Sequence, residues 1–216
     1  MDIKYLGHSS FLIKTKQAKL VTDPFSPEST GLKWAKQEAD IVTISHEHED
    51  HNYREGVKGE PLVISWPGEF EKKEVRITGF ATYHDATKGT ERGQNVMYKI
   101  EDEDISVLHC GDLGHVIDDA LVEEIGAVDI LMIPVGGIYS LGPKEAVKIV
   151  NSIEPSIVIP MHFQQEGLRA DVFGELAALS LFLHEMGAED VAPIEKLTVK
   201  KESFNPDQVQ IVTLSI

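Results

Sequence analysis

The chain has 216 residues, 42% of them hydrophobic, enough for one domain with a substantial core. Its 36 acidic and 20 basic side chains give a formal net charge of −16, which speaks against a broad nucleic-acid or anionic-membrane surface. A single cysteine excludes an internal disulfide framework, and neither a leader-like start nor a bilayer-length apolar run is present, so a cytoplasmic protein with no membrane partner is expected.

Residues 1–23 read as three short strands, with Leu6-Gly7-His8-Ser9-Ser10 punctuating the first two and Asp23-Pro24 closing the third. Polar chain from Pro24 to Ala39 is expected to hold a short helix around Trp34. Asp40-Ile41-Val42-Thr43-Ile44-Ser45 then reads as a buried strand leading into His46-Glu47-His48-Glu49-Asp50-His51. Loops at the carboxyl ends of buried strands are where α/β proteins place their chemistry. In an extended chain His46 and His48 point to one side and can clasp one ion, while Asp50 and His51 follow where the chain turns and can face a second. Imidazoles with carboxylates suit zinc, iron or manganese better than calcium or magnesium.

Asn52 to Glu60 is a charged loop or short helix, Pro61 to Ser65 a strand, Trp66-Pro67-Gly68-Glu69 a turn, and Glu74 to Thr78 a half-exposed strand. The next strand-like run ends at Tyr83-His84-Asp85. The loop from Ala86 to Gly93 reads as a pocket rim, with Lys88 and Arg92 as candidate anchors for an anionic substrate. Asn95 to Ile100 and Asp104 to Leu108 form a hairpin that leads to His109-Cys110-Gly111-Asp112.

Helix and strand then alternate. Helices are expected over 118–125 and 143–151, strands over 129–134 and 156–161, and the second of these strands delivers His162. A longer helix capped by Asp171 turns Val172, Leu176, Leu179 and Leu183 to one face and ends at Gly187. Two strands follow, over 196–200 and 208–214. No linker or repeat divides the chain, so residues 1–216 are taken as one domain. His184 has a structural reading at a helix end, whereas His109 and His115 could each orient a ligand or simply pack.

His46, His48, Asp50 and His51 resemble the H-x-H-x-D-H signature of the metallo-β-lactamase superfamily, and the resemblance continues at His84, Asp112 and His162, each after a strand-like run. It implies an α/β (α+β) fold, an αββα sandwich of two mixed sheets with helices outside. It also implies a two-metal site in which His46, His48 and His84 hold one ion, Asp50, His51 and His162 the other, and Asp112 bridges. The two divalent ions are expected to be zinc, with manganese or iron as alternatives. Gly7-His8-Ser9-Ser10-Phe11 and Arg92-Gly93-Gln94-Asn95 resemble the branch that includes ascorbate-phosphate lactonase, which would bring His8 near the metals. Cys110 departs from true β-lactamases, where a cysteine helps bind the second metal; this argues against antibiotic hydrolysis.

The implied activity is attack by a metal-bound hydroxide on an ester, lactone or phosphodiester of a small, anionic molecule, with Asp50 and His8 as catalytic groups and His8 carrying a proton. Three rivals use the same fold. A flavodiiron oxidoreductase would have Glu at the place of His48 and a flavin domain. An RNA or nucleotide phosphodiesterase would carry a clamping domain or basic arm. A non-catalytic metal-binding protein would be expected to lack ligands, which this chain keeps. The sequence permits a homo-oligomer without specifying one.

Overall fold

The computed structural model describes residues 1–205 and 208–216. Alternating apolar residues near the start build a meander of Asp2–Gly7, Ser10–Lys14 and Lys19–Thr22, in which Ile3 faces Ile13 and Tyr5 faces Phe11 across the first pair. Ile41–Thr43 and then Leu62–Ile64 add in parallel, and Leu197–Thr198 closes the opposite edge, which makes six strands. The second sheet has seven strands, in the spatial order Gln210–Ile211, Ile157–Met161, Ile130–Pro134, Ile105–His109, Gln94–Asp102, Val75–Tyr83 and Gly68–Lys72.

One core joins the inner faces of the two sheets, with Ile13, Leu20 and Ile41 from one and Ile77, Ile100 and Ile130 from the other all fully buried. Tyr98 crosses between them, its hydroxyl 3.0 Å from Ile44 O and 3.3 Å from Ile64 O. Every residue of Ile130–Pro134 and Ile157–Met161 is buried, as expected of parallel strands covered on both faces. Helix Pro143–Ile153 turns Ala146, Ile149, Val150 and Ile153 inward and packs beside Asp119–Ile125 and Leu179–Glu185. The outer face of the six-stranded sheet has a different cover. Leu12, Val21, Val42 and Ile44 pack there with Ala39, Val57 and Trp34, from largely non-helical chain.

Three local readings change. The helix expected around Trp34 lies earlier, at Pro27–Thr30. Ser26 caps it through Oγ, and Gly31, at φ 85°, ends it. Trp34 sits in irregular chain, edge-on to Phe25, with its indole N–H donating to Gly56 O at 2.8 Å. The turn expected at 66–69 gives way to an edge strand from Gly68, because the reversal occurs at Lys73-Glu74, both at positive φ. The long helix over 171–187 is two, Ala170–Phe173 and Leu179–Glu185, and Asp171 lies inside the first instead of capping it. Between them the backbone pairs outward, Ala177 N to Gly136 O at 2.8 Å and Gln164 N to Ala177 O at 2.9 Å, which overrides the helical period.

Direction is what places the site. Asp2–Gly7, Lys19–Thr22 and Ile41–Thr43 run one way in their sheet, and Val75–Tyr83, Ile105–His109, Ile130–Pro134 and Ile157–Met161 share one direction in theirs. His8, Asp23, His46, His84, Asp112 and His162 each follow the carboxyl end of one of these strands within a few residues.

Candidate metal centre

Past Thr43 the chain takes His46 and His51 into the interior and leaves His48 exposed. Ligand atoms of His46, His48 and His84 lie within 4.8 Å of one another, and so do those of His8, Asp50, His51 and His162, and those of His46, His51 and Asp112. Asp112 Oδ2 stands among four imidazoles: Nε2 of His162 at 3.2 Å, His51 at 3.3 Å, His84 at 3.4 Å and His46 at 4.0 Å. The expected ligand residues therefore meet at one place, although more than a hundred residues separate the first from the last.

The donor set suits cations. Nε2 of His46, His51 and His162 and Oδ1 of Asp112 are buried and lack hydrogen-bond partners among the described residues. Unpartnered buried polar atoms are costly unless something outside the chain satisfies them. Burial would raise the Asp112 carboxyl, yet His162 and His51 hold it well below the usual carboxylate range. Burial likewise opposes charge on His51, but Asp112 and Asp50 lift its pKa well above the usual imidazole value. Asp112 is thus held ionised among the imidazoles, while burial keeps His46 and His84 below the usual imidazole value, so neutral nitrogens and a carboxylate stand ready for a cation.

Neighbouring groups decide which nitrogens are free. Asp23 is fully buried at φ 37°; its Oδ1 accepts Ser45 N at 2.8 Å, and its Oδ2 accepts Ser45 Oγ at 2.6 Å and His51 Nδ1 at 2.9 Å. His51 must then carry its proton on Nδ1, which turns Nε2 toward the cluster. Ser45 Oγ donates its one proton to Asp23, so at 2.9 Å it accepts from His46 Nδ1, which leaves His46 Nε2 as a lone pair. The sequence reading took Asp23 only for a turn residue.

Asn95, read from the sequence as a strand residue and the end of the Arg92–Asn95 resemblance, anchors the Asp112 turn. Its amide donates to Thr82 Oγ1 at 2.8 Å and Cys110 O at 3.0 Å, and its carbonyl accepts Asp112 N at 2.9 Å. His109 ties the same turn to the other sheet: Gly111 N donates to its Nδ1 at 3.2 Å, so Nε2 carries the proton and donates to Ser9 O at 2.8 Å. His162 N donates to His8 O at 2.9 Å, and His8 and His162 both adopt left-handed backbone, at φ 57° and 51°. Cys110 is buried beside this turn.

His8 is wholly buried, its Nε2 3.0 Å from Asp50 Oδ2. Burial and His162 push its pKa down to about 4 against the pull of Asp50, so the ring is neutral at pH 7. A cleft of about 470 Å³ opens over His48, Asp50, His84, Asp112 and His162. Arg92 lines it. Lys88 does not reach it and lines a separate groove with Tyr83, His115 and Leu121. Asp85 is the cause of that division. Its carboxylate gathers the N–H groups of Thr87, Gly89, Glu91 and Arg92 at 2.8–3.0 Å, closing the loop so that Lys88 lies on the far side. His115 lies outside the cluster, accepting Tyr83 N at 3.3 Å, and His184 is exposed beside Glu189. Arg169 and Tyr139 also line the cleft, and no local pattern in the sequence marks either of them.

Residues 2–162 match the family described as a β-lactamase superfamily domain. A protein of Thermococcus onnurineus named a metal-dependent hydrolase is 30% identical over 190 residues, covering 76% of this chain and 84% of that one. A Thermotoga maritima protein of known structure, provisionally described as a Zn-dependent hydrolase of the metallo-β-lactamase superfamily, is 34% identical with a TM-score of 0.81 over 99% of this chain and 97% of its own. A diiron β-hydroxylase from Streptomyces venezuelae, 15% identical with a TM-score of 0.64 over 92% of this chain and 54% of that one, shares the fold alone.

Proposed function

The chain belongs to the metallo-β-lactamase superfamily, among its metal-dependent hydrolases, and from that premise we propose that it uses two divalent ions to cleave an ester, lactone or phosphodiester bond in a small molecule. The observation that carries this reading is the convergence of four imidazole nitrogens on Asp112 Oδ2 at 3.2–4.0 Å, open to a cleft of about 470 Å³. His46, His48 and His84 would hold one cation, Asp50, His51 and His162 the other, and Asp112 would serve both. The imidazole-rich set favours zinc, with manganese or iron as substitutes. Bound there, such ions supply a Lewis acid and bring the pKa of water down to about 7.

The chain's own groups do the rest. Asp23 and Ser45 keep His51 and His46 in the tautomers whose Nε2 atoms face the cleft. His8, neutral at pH 7, donates its Nε2–H to Asp50 Oδ2 at 3.0 Å and so orients that carboxylate. Phe173, which lines the cleft, is buried against His8 with ring centroids 5.0 Å apart.

The test combines elemental analysis with a panel of ester, lactone and phosphodiester substrates. Two equivalents of metal per chain are expected, with turnover that chelation removes and zinc or manganese restores, and loss of at least about 100-fold in Asp112→Ala. Full activity in the stripped protein or in Asp112→Ala would overturn the reading, and one equivalent at full activity would overturn its two-ion form.

A further inference from the structure

Two arginines line the cleft, and they differ in what holds them. Arg169 is committed: Nη2 and Nε reach Asp171 at 2.6 and 3.2 Å, and Nη1 donates to Glu28 O at 3.2 Å. Arg92 makes no ion pair among the described residues, although acids outnumber bases 36 to 20 in the chain. What it meets is a ring, its guanidinium carbon 4.8 Å from the centroid of Tyr139.

That ring is fixed in turn. Tyr139 Oη donates to Val172 O at 2.8 Å, and the ring packs edge-on to Phe173 with centroids 6.3 Å apart. Arg92 comes from the loop after His84 and Tyr139 from the loop after Ile130–Pro134, so the pair spans the mouth from one bank to the other. A guanidinium resting on a ring keeps its N–H fork free for a carboxylate or phosphate. Below it Tyr139, Val172 and Phe173 form an apolar wall. Glu47 and Glu49 also line the cleft. Arg54 offsets Glu47, and the charge on Glu49 discourages an anion from seating at that side.

We infer that Arg92 on its Tyr139 platform is the handle for the substrate. The cleft takes an amphipathic molecule with an oxyanion remote from the bond to be cleaved, held by Arg92, and an apolar body laid against Tyr139, Val172 and Phe173. Calling that molecule the substrate rests on the hydrolase reading, but the binding preference does not require turnover.

Calorimetric titration of the metal-loaded protein with 4-phenylbutyrate, phenethyl phosphate and the neutral 4-phenylbutyramide tests it. At least one of the two anions is expected to bind about tenfold or more tightly than the amide, and Arg92→Gln should bring that ratio to about one. Arg92→Lys, which keeps the charge without the fork, should fall between, and Tyr139→Leu should weaken anion and amide together. A preference undiminished in Arg92→Gln would mean that the cations hold the anion, and equal binding of acid and amide by the native protein would mean that no handle exists; either result overturns the inference. A protein that binds in the expected order yet turns over no ester, lactone or phosphodiester would overturn the hydrolase reading and leave the handle standing.

Discussion

His51 can present Nε2 to a cation only while Nδ1 keeps its proton, and Asp23 Oδ2, 2.9 Å away, is what keeps it there. The same carboxylate acts on His46 through Ser45, so one side chain sets two tautomers. Asp23→Asn puts an N–H where one of those acceptors stood. It is expected to lower metal affinity by about 10–100-fold with the fold retained, as competition with a chromophoric chelator would measure. Unchanged affinity would remove Asp23 from this role. A second position works by proximity. A Cβ on Gly136 would come 2.1 Å from His162 O, a backbone atom that cannot swing aside. Gly136→Ala should therefore shift His162 and cost affinity at least about tenfold, while an equally conservative Gly187→Ala, where a Cβ meets nothing within 4 Å, should cost stability only through its positive φ.

The loop between His84 and Gln94 owes its shape to one buried carboxylate. Burial would raise the pKa of Asp85, but the amides of Arg92, Gly89 and Glu91 and the Thr87 side chain hold it far below the usual carboxylate range. The sign follows directly: the ionised form is favoured in the folded loop, so its stabilisation is complete above about pH 4 and disappears as pH falls toward the depressed folded value. Protection of the amides in residues 86–92, measured against their intrinsic exchange rate, should thus fall below about pH 4, and Asp85→Asn should show the low protection already at pH 7. Slow exchange in that variant would mean the loop holds itself. Elements of this kind set the limit of what could be read beforehand. Strands were legible from their apolar runs, and the candidate ligands from the family resemblance of the His46–His51 motif and of the residues that follow later strand-like runs. The 171–187 helix was misread because Gly136 O and Gln164 N claim the Ala177 backbone, and nothing in the local period signals a partner some 40 residues away. Asp23, Asn95 and Tyr139 were invisible for a related reason: each gains its role from a residue brought near by the fold.

At the scale of the whole molecule, the cations would not be what holds the two sheets together. His109 to Ser9, Val96 N to Ser45 O, His162 N to His8 O and Tyr98 to Ile44 already pin one sheet to the other, and a continuous apolar core lies beneath them. The metal-free protein is therefore expected to stay folded, unlike small domains whose folding depends on zinc. It should nonetheless be less stable, because stripping leaves buried nitrogens and a carboxylate oxygen without partners. Binding to the native state alone contributes about 2.7 kcal/mol at 100 times Kd and about 4.1 at 1,000 times, which for a chain of this size corresponds to roughly 5–15 °C in Tm. Thermal scans with and without chelator should show that shift with unchanged far-ultraviolet dichroism at 25 °C, and Asp112→Ala should respond to added metal far less than the native chain. Loss of dichroism on chelation would show that the bonds between the sheets are insufficient alone, and an unmoved Tm would show that the folded protein does not bind the ions at all.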